Sequence, residues 1–192
     1  MTVTTVRTID LQPELVRLKQ ELLDARERAR RVTEGLPAAA WGTRPLAGSW
    51  SIAECLMHLN ITSERYVPLL DEALRSLRTR GLLADGPLRR DFVGYLLSRF
   101  LEPPVRLRVA TAPPFRPGQI DPLHEVLERF DYLQGELLVR LERGAGLALD
   151  RQPVVSAFNV RLRYNLYAAF CVLTAHQRRH LWQAERVRAV VI

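Results

Sequence analysis

His176 and His180 stand four residues apart in the run Thr174-Ala-His-Gln-Arg-Arg-His-Leu-Trp-Gln183. Positions i and i+4 of an α-helix stack on one face about 6 Å apart along the axis, so two imidazoles at that spacing can chelate one cation. The pair also falls where an apolar stripe should continue. Leu166, Ala169, Leu173, His176, His180, Gln183 and Val187 follow one another at alternating steps of three and four, the rhythm of an inward helix face. An unpartnered polar ring on such a face is costly, and a bound metal ion would relieve the cost. The competing reading is a metal-free pair of hydrogen-bonded core histidines. Zinc, nickel and iron all accept imidazole nitrogen, so residue type alone leaves the metal unnamed.

A helical pair is an incomplete site, and His58 is the candidate third ligand. It lies three residues after Cys55 and four before Thr62, on the edge of another inward stripe. Three histidines with one position left over make the open arrangement expected of a catalytic metal; a closed set of four ligands would be structural. His124 has no histidine neighbour and reads as a non-ligand. By helical phase Glu54, Cys55, Thr62, Gln177 and Gln183 face the same side. Glu54 is a helix cap in one reading and a general base in the other. Cys55 is either a buried thiol packing as a small hydrophobe or a thiolate at the site. Gln183 could steady a ligand imidazole by hydrogen bonding to it. Tyr164, Asn165 and Tyr167 could line the pocket, although core packing explains the tyrosines equally well.

Helices must position these groups. Leu11, Leu15, Leu18, Leu22, Ala25, Ala29, Val32 and Leu36 mark a first amphipathic helix, closed by Gly35 and Pro37. A loop is expected over 37–50. Ser51 and Glu54 form a capping-box pattern, with Trp50 before the cap free to staple against Cys55. The helix they open should run to Ser76 or Thr79 with a kink at Pro68. Residues 87–101 read as a shorter helix with Phe92, Tyr95, Leu96 and Phe100 available for burial. Pro103, Pro104, Pro113, Pro114 and Pro117 stiffen the next connection. Asp121 and Pro122 have the cap-then-proline order of a helix start, followed by a core face of Leu123, Leu127, Phe130, Leu137 and Leu141. A second irregular connection covers 145–160, and the last helix spans 163–188. Nothing alternates at period two for long enough to argue a sheet. The pattern is an all-α, four-helix bundle with an extra short helix and long Pro-rich connections, one domain over 1–192.

Composition excludes several classes. With 192 residues, 47% of them hydrophobic, the chain can bury a core without disulfides, and Cys55 and Cys171 have no paired partner motif. The net charge of +7 and pI near 10.2 raise nucleic-acid binding. All the positive charge but Lys19 is arginine, much of it alternating with acids as in Arg26-Glu-Arg-Ala-Arg-Arg31. That is the pattern of solvated helix faces, so no nucleic-acid partner is expected. No apolar run is long enough to span a bilayer, so no membrane partner is expected either. The segment 1–8 lacks the apolar core of a signal peptide, and a cytoplasmic location is expected.

Trp50-Ser-Ile-Ala-Glu-Cys-Leu-Met-His-Leu59, followed far downstream by His176-Gln-Arg-Arg-His180-Leu-Trp-Gln183, resembles the DinB/YfiT-like superfamily. The segment Ala112-Pro-Pro-Phe-Arg-Pro117 is similar to its members as well. The resemblance covers the chain from the second helix to the C-terminus, and the two histidine segments are more specific together than either is alone. It implies a four-helix bundle carrying a divalent metal on three histidines, which map here to His58, His176 and His180. It further implies a small-molecule substrate and, frequently, a homodimer. Relatives include transferases and isomerases that use bacillithiol or mycothiol, and proteins described as metal-dependent hydrolases. A low-molecular-weight thiol is therefore a candidate co-substrate, although no thiol-binding motif can be matched in this chain. The expected function is that of a metal-dependent enzyme, S-transferase-like or hydrolytic; the alternative is a non-enzymatic, stress-associated bundle that binds metal or a small molecule.

Overall fold

The computed structural model describes residues 11–104 and 110–192. The segment read for a signal peptide, and residues 105–109 of the Pro-rich connection, lie outside the described residues. Among the described residues there are six α-helices: α1 (Pro13–Thr33), α2 (Ala38–Trp41), α3 (Ile52–Thr79), α4 (Phe92–Leu101), α5 (Leu123–Arg143) and α6 (Leu166–Val191). Helices α1, α3, α5 and α6 form the bundle. In it α1 and α3 each pack against both α5 and α6.

Side-chain pairings fix the directions. Asn60 reaches the Val126 carbonyl, Arg129 pairs with Glu64 and Arg140 with Asp71, so α3 and α5 run parallel. Arg178 pairs with Glu21 and Arg28 with Glu185, so α1 and α6 are parallel too. Lys19 with Glu142 and Arg26 with Asp131 make α1 antiparallel to α5. Parallel neighbours need a connection that travels the length of the bundle. The stretch from α3 to α5, with α4 and a 3-10 turn at Pro113–Phe115, supplies it.

The capping box behaves as its sequence implies. The Ser51 hydroxyl accepts from the Glu54 N–H at 3.2 Å, and the Glu54 carboxylate accepts from the Ser51 N–H at 2.9 Å. Such a cap contributes about 1 kcal/mol and sets the register of everything after it, His58 included. The helix continues unbroken through Pro68. Pro68 and Glu64, whose carbonyl it leaves without a donor, are both exposed, so water can serve that carbonyl.

Elsewhere the sequence reading needs correction. The expected 37–50 loop holds the one-turn helix α2, which buries Ala40 and Trp41. α5 has no side-chain cap: Asp121 contributes its backbone carbonyl to the Trp41 indole N–H at 2.9 Å instead. Its buried face is Val126, Phe130, Leu133, Leu137 and Leu141, with Leu123 and Leu127 only half-buried. A two-stranded antiparallel ribbon pairs Pro153–Val155 with Arg163–Asn165, strands too short to show alternation. Helix α6 therefore begins at Leu166, capped by the Asn165 side chain, and runs on to Val191.

The largest correction concerns α4. It starts at Phe92, capped by the Asp91 carboxylate, and its buried residues are Gly94, Ser98 and Leu101. A Cβ on Gly94 would sit 2.2 Å from the Ala168 Cβ, so the glycine is what lets α4 press against α6. Phe92, Tyr95, Leu96 and Phe100 consequently face outward, between 44% and 74% exposed. Hydrophobic periodicity cannot mark a buried face built from glycine and serine.

Candidate metal centre

His58 comes from the second turn of α3, and His176 and His180 from the middle of α6. All three are buried, at 3%, 4% and 8% exposure. α3 and α6 are antiparallel neighbours, joined at one level by His58 and His176, while further along Tyr66 of α3 bonds Tyr164 in the strand just before α6. The Nε2 atoms of His58 and His176 are 3.0 Å apart. One ring nitrogen from each of the three histidines can be chosen so that all lie within 4.8 Å of one another. Nitrogens sharing an ion at 2.0–2.1 Å can be at most about 4.2 Å apart, so small ring rotations close the set.

The surroundings prepare these rings as ligands. His58 Nδ1–H donates to the Phe115 carbonyl at 2.7 Å, which leaves the lone pair of the neutral ring on Nε2, toward His176. The 3-10 turn that offers this carbonyl is pinned to α3 by Arg65. Its guanidinium donates to the Pro114 carbonyl at 2.8 Å and lies over the Phe115 ring, 4.9 Å from its centroid. Burial lowers the His58 pKa to about 4, with the Phe115 hydrogen bond acting in the opposite direction. Burial also holds His176 and His180 well below 6.5, and neighbouring histidines and Arg179 add to the effect. All three rings are therefore neutral at pH 7, the form that binds a metal. Two further buried nitrogens, Nδ1 of His176 and Nδ1 of His180, have no hydrogen-bond partner among the described residues. Buried nitrogens left over in this way suit a site built for a cation.

Aromatic rings wall the group. Trp50 stacks on His180 with centroids 5.5 Å apart and meets His58 edge-on at 4.9 Å. Phe158 lies 5.0 Å from His176 and 5.3 Å from Phe115. These contacts thin out water around the rings and lower the local dielectric.

Two histidine segments 118 positions apart converge on one group behind a capped α3. The chain belongs to the DinB superfamily. A family model of that description matches residues 21–184, a span that includes all three histidines, the whole of α3 and α6 as far as Ala184. No curated protein and no solved structure matches.

Within this DinB-superfamily bundle the other site candidates divide. Gln183 is half-buried, and its side chain contacts the His180 ring, opposing the fall in that ring's pKa. Thr62 is buried one turn from His58, and its hydroxyl has no hydrogen-bond partner among the described residues. Glu54 faces away: both carboxylate oxygens are taken by Arg44, and one also by the Ser51 N–H. Those bonds hold its carboxyl below the usual range against the opposing effect of burial, and a carboxylate so engaged is a poor base. Cys55 is wholly buried in an apolar cluster with Ile52, Leu56 and Leu59, and burial pushes its thiol pKa up, the reverse of a ligand thiolate.

Tyr164, Asn165 and Tyr167 do not line the site. Tyr164 bonds the Tyr66 hydroxyl in the core, Asn165 caps α6, and Tyr167 accepts from Arg17 at 3.2 Å. His124 is exposed beside Glu125, as a non-ligand should be. Sequence reasoning missed Trp50, Phe115 and Phe158 as walls. Trp50 is signalled by its place before the cap and Phe115 by its Pro-rich turn; nothing in the sequence marks Phe158.

Proposed function

We propose that this protein binds a divalent cation through His58, His176 and His180 and uses it to activate a nucleophile against a small-molecule substrate. The supporting observation is the group itself: three buried imidazoles, neutral at pH 7, from two antiparallel helices, with ring nitrogens within 4.8 Å. A divalent ion held there by three neutral ligands would keep its full double charge and so lower the pKa of a bound thiol or water strongly. The chain's own residues then hold and exclude. The Phe115 carbonyl fixes the His58 ring, Gln183 steadies His180, and Trp50, Phe115 and Phe158 keep bulk water from the rings. No carboxylate or thiol belongs to the histidine group among the described residues, so a reaction here would leave proton transfer to the nucleophile or the substrate.

Two reactions share this design. With a low-molecular-weight thiol as nucleophile the protein is an S-transferase; with water it is a hydrolase. The near-complete burial of the histidines favours a second reading, a bundle that binds metal or a small molecule without turnover. Metal analysis of wild type against His176→Ala tests the site, with near-stoichiometric metal expected only in the former. Assays of the holo-protein with bacillithiol, mycothiol or glutathione against an electrophile panel, and with esters and amides in water, then decide the chemistry. No product in either panel would leave the binding reading.

A further inference from the structure

The bundle's apolar interior is interrupted at mid-height. Each long helix leaves one apolar cluster and joins the other: α1 between Leu22 and Ala25, α3 between Leu59 and Tyr66, α5 between Phe130 and Leu137, α6 between Leu173 and Leu181. Gln134 from α5, Gln177 from α6 and Thr62 from α3 fall in this gap, at 0%, 1% and 1% exposure. Neither amide atom of Gln134, neither amide atom of Gln177, nor the Thr62 hydroxyl has a hydrogen-bond partner among the described residues. The helical phase of each turns it toward the bundle axis. On α5, Gln134 stands between Phe130 and Leu137, and on α6, Gln177 stands four residues from both Leu173 and Leu181.

Buried amides without partners are rare in folded proteins because desolvation is not recovered. The structure shows no direct Gln134–Gln177 bond, and even a reciprocal amide pair would leave one N–H of each side chain and the Thr62 hydroxyl without a partner among the described residues. We propose that Gln134, Gln177 and Thr62 line an internal hydration site, in which ordered water bridges the two amides and the hydroxyl. The chemistry selects water over an ion: the groups offer donors and acceptors in mixture and carry no charge. A buried water makes about three hydrogen bonds to groups of this kind. Ala25, the residue of α1 bordering the gap, has a side chain small enough to leave room.

The hydration site is carried by the turns that carry the histidines. Gln177 follows His176 directly, and Thr62 is one turn after His58. Bridging water ties α3, α5 and α6 together at that level and so positions the two helices that present the imidazoles. The inference does not depend on metal occupancy, since the water partners lie on residues outside the histidine group.

A crystal structure of the full chain, prepared without metal and at a resolution that shows ordered water, tests it directly. A solvent peak bonded to both the Gln134 and Gln177 side chains is expected. Amides bonded to each other or to other protein groups, with no solvent within reach, overturn the proposal. Thermal unfolding of Gln134→Met, Gln177→Met and the double variant gives the second measurement. Each single change is expected to lower Tm by about 2–10 °C, because it strands the remaining amide and its water. The double change should lower Tm by less than the two losses added together, because it strands nothing. Strictly additive losses count against a shared cluster.

Discussion

His58 and His176 meet Nε2 to Nε2 at 3.0 Å across 118 positions of sequence, with the far side of the His58 ring anchored on the Phe115 carbonyl. One nitrogen is occupied by backbone, and the other carries its lone pair toward the His176 ring. This is how a protein prepares an imidazole for a cation, and it makes the ligand set open to test.

Replacing any one of His58, His176 or His180 by Ala should remove most of the bound metal, with affinity falling at least about tenfold. His124→Ala, at an exposed position, should retain it. Metal content of the purified proteins measures both. Retention of stoichiometric metal in His58→Ala would reduce the site to the α6 pair.

Glu54→Ala removes the capping carboxylate and the Arg44 pair together. Loss of about 1–2 kcal/mol is expected, seen as a Tm lower by about 2–8 °C, with metal content unchanged. A variant that keeps its Tm but loses turnover would restore Glu54 to the chemistry.

Acid should destabilise the metal-free protein in a defined window. The folded-state pKa of His58 is lowered to about 4 from 6.5, and those of His176 and His180 also lie below 6.5. Between those values the unfolded chain binds protons that the folded chain refuses, so stability falls as pH drops from about 6.5 toward 4. Tm measured against pH should be flat near neutrality and decline through that window, with a shallower decline in His58→Gln. By the same sign, protons should compete poorly for the ring nitrogens at pH 6, and metal should stay bound there.

Trp50 stacks on His180 and touches His58 edge-on, so its emission should report on the site. Adding Zn or Ni to metal-free protein should change tryptophan fluorescence, and Trp50→Phe should abolish most of the change. Trp41 and Trp182 remain in that variant, so an undiminished signal would place the responding ring elsewhere.

Cys55 is fully buried and Cys171 nearly so, both with thiol pKa values raised by burial. Neither should react with a thiol reagent in the native protein, and both should react after denaturation. Cys55→Ala should keep its metal, which would confirm that no thiolate completes the ligand set.

Local signals were readable without the fold. The α3 capping box, the stripe along α6 and the i, i+4 histidine pair depend on residues a turn apart, whose geometry the helix itself imposes. Helical phase also offered His58 as the third ligand, the family resemblance agreed, and the structure places it with the pair. What failed were judgements that hinge on a distant neighbour. The outward turn of Phe92 and Phe100 follows from Gly94 meeting Ala168. For Glu54 and Cys55, which share the helical phase of His58, the capping and buried-thiol readings hold: Ser51 and Arg44 engage one and an apolar cluster encloses the other.

The chain by itself determined the four long helices, the cap that starts α3, and which imidazoles were available, because period and spacing are properties of contiguous residues. Only the tertiary structure decided that α3 and α6 run antiparallel with their histidines at one level. It alone placed the Phe115 carbonyl behind His58, and Trp50 and Phe158 around the group. Those relationships arise from packing between segments far apart in sequence, where burial and hydrogen bonding across helices outweigh local pattern.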